Sequence, residues 1–142
     1  MINTSLEETL DKIGYICVET KGTSMQPFLV SGRDKVCIEK LNKKPKKHDI
    51  VLYKRTDGSY VLHRIKKVYK NSYALWGDNH CYIEYGITDE QIIGILVGFY
   101  KGEKYIDFRK SFKYKLYQFF WCNSLFIRKV RFKLKRIFKK EK

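Results

Sequence analysis

The spacing of apolar residues changes near residue 108, and that change most restricts how the chain can fold. Ahead of it, short runs rich in β-branched and aromatic residues occupy positions 36–38, 50–54, 60–65, 73–76, 92–100 and 105–108. Runs of that length and composition read as strands. Asp57-Gly58 is a hairpin signal and Lys70-Asn71-Ser72 a further turn, so residues 50–76 are expected to form three successive antiparallel strands. Beyond residue 108, Phe112, Leu116, Phe119/Phe120, Asn123, Phe126/Ile127, Val130, Leu134 and Ile137 recur at helical spacing. The expectation is a mainly β domain over residues 1–108 and a basic amphipathic helix over 109–142.

The charge divides at the same place. Residues 109–142 hold thirteen Lys/Arg against Glu141 alone, a net +12 of the chain's +15, and residues 1–108 keep an ordinary balance. At the N-terminus, Thr4 to Glu7 offers a capping box, Leu6, Leu10 and Ile13 share one helical face, and Gly14 stops the turn. A strand over 15–20 then leads to Gly22 and Ser24. Residues 2–13 are mostly polar, and no run approaches the roughly 20 apolar residues of a membrane span, so neither a cleaved secretion signal nor a spanning helix is expected. Cys17, Cys37, Cys81 and Cys122 form no metal-ligand spacing and no disulfide framework, which points to free thiols in a reducing cytoplasm and to no metal or cofactor.

A serine hydroxyl attacks a carbonyl only when a neighbouring base takes its proton and donors stabilise the oxyanion. Ser24 follows a strand, and His48, His63 and His80 are the available imidazoles. Spacing alone does not choose among them.

Gly22-Thr23-Ser24-Met25-Gln26-Pro27 resembles the nucleophile box of type I signal peptidases, and Gly32-Arg33-Asp34 with Val36 resembles the turn that follows it. Asp49 to Tyr53 is similar to the family's next strand, Val61-Leu62-His63-Arg64-Ile65 to its base-bearing box, and Gly77-Asp78-Asn79 to its late box. The five stand in the family's order over residues 22–79. The resemblance implies a signal-peptidase-like β-ribbon fold. It also implies a Ser24/His63 dyad of the kind found in the branch with His, rather than Lys, before the Arg of the base box. Asp78 would orient the imidazole, and the Ser24 N–H with the Thr23 hydroxyl would form the oxyanion hole. Met25 and Pro27 would shape the strand beside which substrate lies, and Lys66 is the alternative base.

The function implied is a serine endopeptidase acting on an extended leader or signal-like peptide. Ordinary members are membrane-anchored, whereas the basic tail here is expected to bind an anionic membrane surface peripherally, from the cytoplasmic side, with Phe119, Phe120, Trp121, Phe126 and Ile127 entering the interface. LexA-type self-cleaving repressors share the fold but carry a DNA-binding module, which about 20 residues ahead of Ser24 cannot hold. The alternative from another class is a non-catalytic, basic nucleic-acid- or membrane-binding protein on a peptidase-like fold. No recognition module accompanies the charge, so nucleic acid is the less favoured partner.

Overall fold

A computed structural model of the chain describes residues 5–140. The first helix, α1 (Leu6–Ile13), starts at Ser5, whose hydroxyl accepts the Glu8 N–H at 3.2 Å. It ends at Gly14, where a φ of 80° suits a residue without Cβ and the Gly14 N–H returns to the Leu10 carbonyl. Thr4, the expected cap, lies outside the described residues, and Ser5 serves in its place. Leu10 is buried as expected, but Ile13 is exposed, because the chain turns at Gly14 into β1 (Tyr15–Glu19).

The other strands are β2 (Asp34–Lys40), β3 (Ile50–Lys54), β4 (Tyr60–Val68), β5 (Tyr73–Trp76), β6 (Glu84–Ile87), β7 (Ile92–Lys101) and β8 (Lys104–Ile106). They form one antiparallel sheet in the order β1-β2-β7-β3-β4-β5-β6, with β8 against the end of β7. The fold is mainly β. The β3-β4-β5 meander matches the turn signals. β7 does not follow its sequence neighbours: it inserts between β2 and β3, pairing with β2 along one edge and with β3 and then β8 along the other. β6 carries no strand signature and was not expected; it pairs with β5 alone, at the sheet edge.

β3 is buried on both faces, which its unbroken Ile-Val-Leu-Tyr run requires. Ile50 and Leu52 enter one core cluster with Leu10, Phe28, Ile38 and Phe99; Val51 and Tyr53 enter a second with Ile65, Tyr73 and Leu75. The strands also correct the reading of the thiols. Cys17 and Cys37 are direct cross-strand partners in the β1/β2 register, with Cα atoms 4.2 Å apart, and form a disulfide. Register, which the spacing of cysteines does not reveal, brings the two together. Cys81 and Cys122 are free.

The tail is two helices rather than one, α2 (Phe112–Asn123) and α3 (Leu125–Lys140). Ser124 between them is extended, and its hydroxyl accepts the Ile127 N–H at 3.2 Å, so it caps the second helix instead of continuing the first. Tyr114, Tyr117, Cys122 and Arg128 turn inward, while Phe112, Phe119, Phe120, Phe126 and Phe138 stay exposed. Trp121, expected in a membrane interface, faces the domain instead and donates its indole N–H to the Asp78 carbonyl at 2.8 Å. Among the described residues no helix is long and apolar enough to cross a membrane.

Candidate active site

Ser24 sits in the loop between β1 and β2, just past Gly22, where the backbone has a φ of 81°. The loop is anchored from below by Met25, Phe28 and Leu29, all buried in the first core cluster, and the Gln26–Pro27 peptide is cis. Ser24 itself is half-buried and Thr23 exposed. Ser24 lines a cleft of about 550 Å³ together with His63, His80, Leu62, Arg55 and Tyr82, and Met25 and Leu29 reach the same cleft from the core. Residues 18–22, at the end of the sheet-edge strand β1, form one wall.

The segment after β5 closes the arrangement. The Asn79 backbone N–H donates to the Ser24 carbonyl at 2.8 Å, and the Asn79 side-chain amide donates to the Thr23 carbonyl at 3.0 Å. Gly77 lies against the same group of atoms: a Cβ there would meet the Ser24 carbonyl oxygen at 2.5 Å, His80 Nδ1 at 2.8 Å and His63 Nε2 at 3.2 Å. Only a glycine lets the two loops and the imidazole approach this closely. The fold therefore brings the Ser24 and Thr23 main chain, His63 and the Gly77–Asn79 segment into one neighbourhood, while Ser24 Oγ and the His63 ring share no hydrogen bond. Of the three histidines, His63 and His80 reach the cleft, whereas His48 lines a separate pocket beside Arg64. Lys66 stacks over the Trp76 ring, outside the cleft.

Asp78 does not contact the imidazole. Its carboxylate accepts two parallel bonds from Arg64, both at 2.8 Å, and a third from the Tyr117 hydroxyl at 3.0 Å, with Arg128 Nη2 at 3.9 Å. Asp78, Arg64 and Arg128 are all fully buried, and a buried carboxylate turns to the cations that neutralise it. Alternation along β4 is the geometric reason: Arg64 and His63 are adjacent, so they point to opposite faces of the strand. Arg128 goes on to donate to the Gly77 and His80 carbonyls, each at 2.9 Å, with its guanidinium carbon 3.4 Å over the Trp76 ring. The tail is thus bonded to the segment that carries Gly77 and Asn79.

The imidazole of His63 has other neighbours, of which Tyr53 ends the box over Asp49 to Tyr53 while Glu84 and Arg55 belong to no motif. Nδ1 lies 3.2 Å from the Tyr53 hydroxyl, which donates to Glu84 at 2.6 Å, and Arg55 holds Glu84 with two bonds at 2.9 and 3.0 Å. The His80 ring stands edge-on to His63 and is stacked on Tyr82. Burial, then the His80 and Arg55 charges, push the His63 pKa down to about 4 against the pull of Glu84 and Asp78. His63 is neutral at pH 7, with Nε2 on the Ser24 side. Among the described residues no group of three or more His, Cys, Asp or Glu side chains is placed to hold a metal ion.

No protein-family model matches the chain, and no curated protein matches it.

Proposed function

We propose that the protein is a serine endopeptidase with a Ser24/His63 dyad on a signal-peptidase-like fold, cleaving an extended leader or signal-like peptide. The observation that carries this reading is the approach of His63 Nε2 and the Ser24 backbone to one point beside Gly77. In the acylation step Ser24 Oγ bonds to the substrate carbonyl carbon and its proton passes to Nε2. The carbon–nitrogen bond then breaks, and the same proton leaves with the amine. Water repeats the sequence to release the acid and restore Ser24. The Ser24 N–H, which donates to no acceptor among the described residues, and the Thr23 hydroxyl are the donors available to the oxyanion. A substrate backbone would add as a strand along residues 18–22, at the edge of the sheet.

A fluorophosphonate serine probe applied to the purified chain tests the dyad. Wild type is expected to label at one site, and Ser24→Ala and His63→Ala are expected to lose it. Labelling that survives in both variants refutes the assignment.

The tail supports a second role, peripheral attachment to an anionic membrane surface. Phe119, Phe120 and Phe126 are 63%, 57% and 76% exposed on helices whose outer surface also carries Leu116, Val130, Leu134 and many Lys and Arg side chains. Aromatic rings exposed among cations suit the boundary between headgroups and acyl chains, where each cation contributes about 1 kcal/mol. Flotation with vesicles containing phosphatidylserine is expected to carry the wild type upward and to leave a Phe119→Ser/Phe126→Ser variant behind. Equal flotation of the two, or of neither, removes this role.

A further inference from the structure

We infer that Tyr53 and Glu84, backed by Arg55, are the positioning residues of His63: a tyrosine hydroxyl stands between the imidazole and its carboxylate. This inference rests on the Ser24/His63 reading and says how the base is held and charged.

The direction of each hydrogen bond follows from counting protons. Burial alone would raise the Glu84 pKa, but the bonds from Arg55 and Tyr53 hold it below the usual carboxylate range, so Glu84 is an acceptor only. Burial and the same carboxylate raise the Tyr53 pKa, which keeps its single proton on the oxygen. That proton is committed to Glu84 at 2.6 Å. Toward His63, 3.2 Å away, the Tyr53 oxygen can only accept. The imidazole therefore carries its resting proton on Nδ1 and presents the Nε2 lone pair on the side of Ser24. This is the tautomer a general base needs.

The strand register makes the contact possible. Val51 pairs with His63 and Tyr53 with Val61, so Tyr53 and His63 are diagonal neighbours on one face of β3 and β4. Glu84 opens β6, opposite Leu75 of β5, and closes the row from the far side. When Nε2 takes the Ser24 proton the ring becomes a cation, and Nδ1–H then points at a phenol oxygen whose own proton is drawn toward a carboxylate. A hydroxyl polarised in this way is a stronger acceptor than an isolated one. No proton has to leave Tyr53. The charged and titratable groups around the ring are Glu84 and Asp78, which favour the imidazolium, and His80 and Arg55, which oppose it. Arg55 thereby both fixes Glu84 and limits how strongly it acts.

The test uses the full chain with 15N-labelled imidazoles. Only three histidines are present, and the His63 ring is assigned by its loss in His63→Gln. A long-range 1H–15N correlation spectrum at pH 7 is expected to show His63 as the Nδ1–H tautomer. Tyr53→Phe, which keeps the ring and its packing, is expected to mix the tautomers and to lower the serine-probe labelling rate on the order of 10²-fold. Glu84→Gln is expected to keep the tautomer, slow labelling, and move the acid limb of the labelling rate to lower pH, because the charge that favours the imidazolium is gone; Glu84→Asp restores part of both. A purely structural role for Glu84 changes the rate without moving the limb, and that result overturns the inference. So does an Nε2–H tautomer in the wild type, or a Tyr53→Phe spectrum like the wild type's. A wild type that shows the Nδ1–H tautomer but never labels leaves the hydrogen-bonded row standing and removes the dyad instead.

Discussion

Gly77→Ala places a methyl group at the point where the candidate site converges. The new Cβ would lie 2.5 Å from the Ser24 carbonyl oxygen, where ordinary contact begins at 3.4 Å, so the two must separate by 0.9 Å (3.4 − 2.5). The oxygen belongs to the main chain and cannot swing away as a side chain would. Moving it breaks the 2.8 Å bond it receives from the Asn79 N–H, which contributes about 1 kcal/mol, on top of an overpacking cost of about 1–3 kcal/mol. For a chain of this length that corresponds to a melting temperature lower by roughly 5–12 °C. A displacement near 1 Å between nucleophile and base costs about 10²-fold in rate. Thermal melting followed by circular dichroism and the rate of serine-probe labelling measure the two effects separately. Gly102→Ala is the control: it forces an alanine into a left-handed turn, φ 65°, between β7 and β8, touches nothing and lies outside the cleft lining, so it is expected to lose stability and keep its labelling rate. If Gly77→Ala melts early yet labels like the wild type, the apposition of Ser24 and His63 is not what drives the chemistry.

Two further outcomes follow from the buried charges. Arg128→Met removes the donor to the Gly77, His80 and Trp121 carbonyls and a cation near Asp78, and is expected to cost about 3–5 kcal/mol in urea unfolding and to slow labelling, although residue 128 lies on the tail; unchanged stability would show that the tail does not support the site. His63, His80 and His48 all have pKa values below the ordinary 6.5, burial being the first cause in each. The unfolded chain then binds more protons than the folded one as pH falls from about 6.5 toward 4, so stability is full above 6.5 and declines through that window. For His63, with a folded value of about 4 and a ring only 2% exposed, the loss is roughly 3 kcal/mol. Urea midpoints between pH 7 and 4.5 should fall steeply in the wild type and less steeply in His63→Gln; equal slopes would contradict the burial argument.

What neighbouring residues impose was readable without coordinates. Asp57-Gly58 marks a hairpin and the β3-β4-β5 meander follows from it; Gly14 stops a helix; Ile-Val-Leu-Tyr announces a strand. The motifs named Ser24, His63 and Gly77–Asn79 as candidates, although nothing local said that Asn79 would hold the Ser24 and Thr23 carbonyls. Other features depend on pairing between distant segments, and there the linear pattern was silent or misleading. β7 inserts between β2 and β3, Cys17 faces Cys37, and Tyr53 lies diagonal to His63 only because of strand register, which a shift of one residue would reverse. The tail shows the same limit. Helical spacing identified its helices, but both faces carry large apolar groups, and the inward one was chosen by the hydrogen-bonding residues Tyr117, Trp121 and Arg128, whose partners sit around Asp78, Gly77 and His80. Asp78 went to those cations rather than to the imidazole because a buried carboxylate is satisfied by the charges packed around it, and which charges those are is a property of the assembled fold.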